Sequence, residues 1–153
     1  MEGILTRGGN VIKDINPERI QKLISSMRES VRILHEIKDM QQSEFNKDIH
    51  KQSSAKYNFI VAIEAAIDVA NHIISKRGFR APEDYADTFN VLADAGAIDK
   101  EFSLELAKMA RFRNRLVHLY WDVDIAEVWK IVQTRLDDFE KYISQIGNYL
   151  SLQ

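Results

Sequence analysis

Ser54-Ala55-Lys56-Tyr57-Asn58-Phe59-Ile60-Val61-Ala62-Ile63-Glu64-Ala65-Ala66-Ile67-Asp68-Val69-Ala70-Asn71-His72-Ile73-Ile74-Ser75-Lys76 decides the fold. Its apolar residues recur at helical spacing and cover almost the whole circumference, the pattern of a helix buried at the centre of a bundle. Lys76 and Arg77 in the last turn and Gly78 just beyond it make an ordinary helix stop. A thin polar stripe, Glu64, Asp68 and Asn71, interrupts the apolar surface at i, i+4, i+7. It reads either as a solvent-facing edge or as the polar wall of a site.

The flanking segments carry the same period. Asn16-Pro17 is an N-cap followed by proline at the first helical position. Ile20, Leu23, Ile24, Met27, Val31 and Leu34 then predict a helix to about residue 40. The polar stretch 41–53 bends or interrupts it. A short helix is expected over 82–94, starting at Pro82, and another over 100–117, capped by Asp99. A last helix is expected from Asp122 or Asp124 onward. Its stripe of Ile125, Val128, Val132, Leu136, Phe139, Ile143, Ile146 and Leu150 steps by three or four throughout, as in a helix packed along a partner.

No segment shows sustained period-2 alternation. Six glycines and two prolines in 153 residues are under half the usual share of roughly 12%. The expectation is an all-α antiparallel helical bundle. Gly3, Gly8 and Gly9 mark residues 1–15 as a loose or extended arm, and residues 16–153 read as a single domain.

Composition narrows the function. Twenty-one bases against 23 acids give a net charge of −2, which disfavours a protein that coats nucleic acid non-specifically but leaves room for a local basic site. The absence of cysteine excludes disulfides, thiolate nucleophiles, iron–sulfur clusters and cysteine zinc sites. The longest apolar run, Phe59–Ile63, is far short of the ~20 residues of a bilayer span, and the first residues hold no apolar stretch of signal-peptide length. A cytoplasmic protein without a membrane partner is expected. His35, His50, His72 and His118 form no HExxH pattern and no convincing metal-ligand spacing, and Gly8-Gly9 opens no phosphate loop. No metal or cofactor is expected.

One stretch carries chemistry: Lys108-Met109-Ala110-Arg111-Phe112-Arg113-Asn114-Arg115-Leu116-Val117-His118-Leu119-Tyr120-Trp121. Four bases fall within eight residues with no acid among them. The cluster reads as a basic helix end followed by core aromatics, or as a site. Arginine forks onto phosphate oxygens, and histidine moves a proton near neutral pH. Metal-free RNA cleavage needs both, because a 2′-OH loses a proton, a 5′-oxygen gains one, and charge on phosphorus must be stabilised. On an ideal helix Arg113 and His118 project about 140° apart, whereas Arg111, Arg115 and His118 lie closer to one line. Either the helix breaks near Val117, or a second subunit completes the site.

Arg113-x4-His118-Leu119-Tyr120 resembles the R-x4-H-x-Y signature of the HepT toxins among the HEPN domains. The word Ala62–Ile74 is similar to that family's second long helix, and Phe112–Trp121 to its active segment. The resemblance covers about residues 16–150. It implies a dimeric bundle whose two motif segments meet in a cleft, and a metal-independent endoribonuclease leaving 2′,3′-cyclic phosphate and 5′-OH ends. By position, His118 would be the general acid/base and Arg113 would hold the scissile phosphate. Asn114 would be an accessory contact; Arg111, which satisfies the looser R-x6-H spacing, and Arg115 remain further candidates. The resemblance also implies a partner, an MntA-type minimal nucleotidyltransferase antitoxin. That enzyme would transfer AMP onto Tyr120, whose alternative reading is an aromatic anchor at a helix end. A bulky anion two residues from His118 would occupy the phosphate site and repel RNA.

The expected function is thus the toxin of a type VII-like toxin–antitoxin system. Two readings compete with it: a non-catalytic HEPN nucleotide-binding or adaptor protein acting with a nucleotidyltransferase, and a plain helical interaction protein.

Overall fold

The computed structural model describes residues 4–7, 10–13 and 15–151. In chain order its helices are α1 Pro17–Lys38, α2 Gln42–Phe45, α3 Ile49–Arg77, α4 Tyr85–Asp94, α5 Lys100–His118, α6 Ile125–Thr134 and α7 Asp137–Ser151, with a 3-10 turn at Tyr120–Asp122. Asn16 and Asp124 cap as the sequence leads one to expect, and Asp48 and Asp84 add two caps it did not announce. The Asn16 side chain accepts from Arg19 N–H, Asp48 from His50 and Lys51 N–H, Asp84 from Asp87 N–H and Asp124 from Ala126 N–H. Each satisfies donors that a helix start leaves open.

α3 is the axis of the bundle. Phe59, Ala62, Ile63, Ala66, Ala70 and Ile73 are buried on it, and α1, α4, α5, α6 and α7 all touch it. By length and composition alone α3 would pass for a membrane span, but most of that window is buried inside the bundle. Small residues let neighbours approach: the buried Tyr142 of α7 donates its hydroxyl to the Ala66 carbonyl at 2.8 Å. That satisfies the one polar atom of the ring in an apolar setting, and burial pushes the phenol pKa up. Phe59 meets Phe112 of α5 edge-on at 5.5 Å between ring centres, and Phe89 of α4 meets Tyr142 at 5.7 Å. These contacts hold α5 against α3, and α4 against α7.

Four differences from the sequence expectation have physical causes. The arm holds a two-stranded antiparallel ribbon, β1 Ile4–Arg7 paired with β2 Asn10–Lys13, and β2 touches α3. Strands of four residues are too short to show alternation. Gly3, Gly8 and Gly9 lie outside the described residues. The polar stretch 41–53 interrupts the first helix as expected but is itself mostly helical: α2 is a single turn that buries Phe45, and α3 starts at Ile49, before residue 54, because Asp48 caps it.

The last helix is two helices. Thr134 Oγ1 bonds back to the Lys130 carbonyl at 2.7 Å, a contact that bends helices, and Arg135 leaves helical geometry to pair with Asp138 and Glu105. The apolar stripe passes unbroken across the joint, since Val128, Val132, Leu136, Phe139, Ile143 and Ile146 are all buried. Finally, α4 starts three residues after Pro82, and Asp99 sits at the N-cap position of α5 but its side chain accepts from Gln145 of α7 and caps no N–H of its own helix.

Candidate active site

A cleft of about 490 Å³ opens between α3, α5 and the segment entering α4. Gly78, in left-handed geometry at φ 69°, ends α3 and turns the chain toward this segment. Arg80 then forks onto Asp87 at 2.7 and 3.1 Å, tying the segment to the first turn of α4. Asn71 of α3, Asp84 and Tyr85 line one side of the cleft; Arg113, Asn114 and His118 of α5 line the other.

Arg113 is held from three directions. Its Nε and Nη2 both donate to Glu64 Oε2, at 3.0 and 2.6 Å. Its Nη1 donates to Asn114 Oδ1 at 3.0 Å. The guanidinium carbon lies 5.0 Å from the centre of the Tyr85 ring. The side chain is 14% exposed. Glu64 and Asn71 of the polar stripe therefore face α5 and α4, and Asp68 joins Glu64, Tyr85 and Arg113 around a small adjoining recess. Desolvation is the largest influence on Asp68 and raises its pKa; Arg19 and Arg113 pull it down, and Glu64 pushes it up.

α5 does not break at Val117. It runs through His118, and Leu119 N–H caps it onto the Arg115 carbonyl at 2.7 Å. Arg113 and His118 share one cleft in a single chain because the cleft spans the Asn114 face between them. His118 is exposed, and its ring takes part in no described hydrogen bond.

Tyr120 lies in the 3-10 turn beyond the cleft lining. Lys56 of α3 donates to the Tyr120 carbonyl at 2.7 Å, with its ammonium 4.5 Å from the Tyr120 ring centre and 5.7 Å from that of Trp121. Lys56 is buried, and burial pushes its pKa down. The two aromatic rings meet edge-on at 4.9 Å, and Trp121 is 76% exposed.

Arg115 belongs to a different surface. Its guanidinium pairs with Glu127 of α6 and lines a separate recess between α5 and α6; the bond to Glu127 is the main cause of its raised pKa. Arg111 is exposed and takes part in no described pairing. Among the described residues, no group of three His, Asp or Glu side chains is placed to hold a metal ion. Lys56, Asp84 and Tyr85 are the site residues that sequence reasoning missed. Asp84 and Tyr85 carry no signal beyond a cap and the following aromatic, and the burial of Lys56 cannot be read from its neighbours.

The sequence profile described as "Ribonuclease HepT-like" matches residues 27–146. The chain belongs to the HepT-like ribonuclease family. It is 36% identical over 104 residues to the mRNA nuclease HepT of Shewanella oneidensis, covering 68% of this chain and 78% of that protein. It is 33% identical over 89 residues to the tRNA nuclease HepT of Aphanizomenon flos-aquae, covering 57% and 59%. Among solved structures, a tri-AMPylated Shewanella oneidensis HEPN toxin in complex with its MNT antitoxin superimposes with a TM-score of 0.80 at 30% identity, covering 87% of this chain and 99% of that one. A toxin–antitoxin structure with AMP-PNP gives the same TM-score, 0.80, at 30% identity over 86% and 98%. This HepT-like ribonuclease thus shares its bundle with toxins whose solved structures contain a nucleotidyltransferase antitoxin.

Proposed function

We propose that this HepT-like ribonuclease is the toxin of a toxin–antitoxin pair, cutting RNA without a metal. One observation carries the reading: a single cleft brings together a restrained guanidinium, Arg113, an amide, Asn114, and an exposed imidazole, His118. The 2′-oxygen attacks phosphorus, the P–O5′ bond breaks, and the products are a 2′,3′-cyclic phosphate and a 5′-hydroxyl. His118 moves the proton that leaves the 2′-OH or reaches the 5′-oxygen. Arg113 stabilises the charge that builds on the phosphorane, and it needs no reorganisation because Glu64 and Asn114 already hold it. The imidazole lining the cleft, His118, supplies one proton transfer at a time. A two-fold dimer with facing motif segments would bring a second copy to the same phosphate.

Control falls to Tyr120. Tyr120 holds the tyrosine place of the R-x4-H-x-Y signature, and a structurally similar HEPN toxin is AMPylated and bound to its antitoxin; together these support modification by a nucleotidyltransferase antitoxin acting in the same cytoplasm. Arg111, free of pairing among the described residues, is the arginine best placed in charge terms to receive the AMP phosphate. Arg113 and Arg115 are engaged by Glu64 and Glu127. Mass spectrometry of protein co-expressed with an MntA-type nucleotidyltransferase tests this part. Each AMP adds ~329 Da, a covalent change read directly as mass. Unmodified protein in growing, protected cells would show that the antitoxin acts by binding alone.

A further inference from the structure

Arg113, Asn114 and His118 account for one side of the cleft. The other side is Asn71, Asp84 and Tyr85, which the proposed reaction does not use. Tyr85 opens α4 and is 46% exposed, although its ring is large and apolar. Asn71 is half-buried on α3, and no described hydrogen bond uses its amide. Asp84 spends Oδ1 on the Asp87 N–H at 2.7 Å, as the cap of α4, and carries a second carboxylate oxygen. A flat ring, an amide that both donates and accepts, and an acceptor carboxylate stand beside a cation and an imidazole. The carboxylate makes this side hostile to a second phosphate and suited to a neutral group with N–H donors.

We propose that this side of the cleft is a nucleobase subsite. A base next to the scissile phosphate stacks on Tyr85 and presents its edge to Asn71 and Asp84. Single-stranded RNA is read in this way, by stacking on aromatic rings and hydrogen bonding along unpaired base edges. The inference rests on the reading of the cleft as an RNA site. It makes Tyr85 and Asn71 determinants of which base flanks the cut, and Asp84 a bias toward bases that offer N–H donors.

The test is binding, measured on the full chain with a short single strand of 2′-O-methyl riboses, which lacks the attacking hydroxyl and stays intact. The same strand is then used with one base at a time removed. In the wild type, loss of one particular base should weaken binding about tenfold, the scale of a base–aromatic stack. Tyr85→Ala should bind the complete strand as weakly as that abasic strand and be indifferent to the missing base; Tyr85→Phe should behave as wild type. Asn71→Ala, which removes an unpaired amide, should lower the penalty without disturbing the fold. A wild type indifferent to every missing base overturns the proposal. So does Tyr85→Ala weakening complete and abasic strands equally, which would make the ring only a brace for Arg113. Because cleavage plays no part in the readout, an inactive enzyme that still senses the base would count against the ribonuclease mechanism and not against the subsite.

Discussion

Two nitrogens of Arg113, Nε and Nη2, end on a single carboxylate oxygen of Glu64, at 3.0 and 2.6 Å. The pair joins α5 to α3 across 49 residues of sequence, and it turns the polar stripe on the central helix toward the cleft. Glu64 sets the direction of the guanidinium and offsets its charge.

Glu64→Ala should therefore lower kcat more than it lowers stability. Glu64 is 42% exposed, so solvent screens its side of the pair, and Asn114 still holds the Arg113 guanidinium when Glu64 is removed. A misplaced contact in the reaction can cost ~10²-fold in rate. Glu64→Gln, which still accepts a hydrogen bond, should recover part of the loss. Steady-state cleavage beside thermal melting checks this; an unchanged kcat for Glu64→Ala would show that Arg113 is oriented by Asn114 and Tyr85 alone.

Lys56 is the support of the Tyr120 turn. Lys56→Met fills nearly the same space but removes the ammonium that donates to the Tyr120 carbonyl. A hydrogen bond from a charged donor contributes about 1.5–3 kcal/mol, so amide exchange over 119–123 should quicken and melting should fall by a few degrees. Exchange as slow as in the wild type would mean that the ring contacts hold the turn by themselves.

The N-terminus of α1 is pinned by a histidine. Asn16 N–H donates to His72 Nε2 at 3.0 Å, a bond that requires the neutral ring. Desolvation, then Lys76 and Arg19, push the His72 pKa below its ordinary 6.5. The unfolded chain thus takes up this proton more readily than the native one. Stability is intact above pH 6.5 and falls as pH drops through the lowered native pKa. His72→Gln, whose amide oxygen accepts at any pH, should flatten this part of the stability profile below pH 6.5. An equal slope in both proteins would place the acid sensitivity elsewhere.

The helices and the motif were legible because they rest on local signals: the all-round apolar run of α3, the Asn16-Pro17 start, and Arg113-x4-His118 with its neighbours. What was not legible depends on contacts between distant segments. The break at Arg135 needs Glu105 from α5, and the side taken by Glu64 needs Arg113. The pairing of Arg115 with Glu127 could not be seen from a basic cluster that contains no acid of its own. Tyr85 reached the cleft only when the chain between α3 and α4 was folded back beside α5, and Lys56 met Tyr120 only when the turn after α5 packed on α3.

Tyr120→Phe keeps the ring, and with it the contacts to Lys56 and Trp121, but has no oxygen to accept AMP. Cells carrying this variant together with the nucleotidyltransferase should stop growing, while cells carrying the wild type with the same partner should grow. Equal rescue of both would remove Tyr120 as the switch.

The most direct measurement is the fate of RNA incubated with the purified protein in EDTA, with product ends identified by mass spectrometry, for the wild type and His118→Ala side by side. The wild type should cleave undiminished by the chelator and leave 2′,3′-cyclic phosphate and 5′-hydroxyl ends, and His118→Ala should lose at least ~10²-fold in rate with its fold intact. Cleavage that stops in EDTA, or that continues at full rate without the His118 imidazole, would contradict metal-free catalysis centred on this residue.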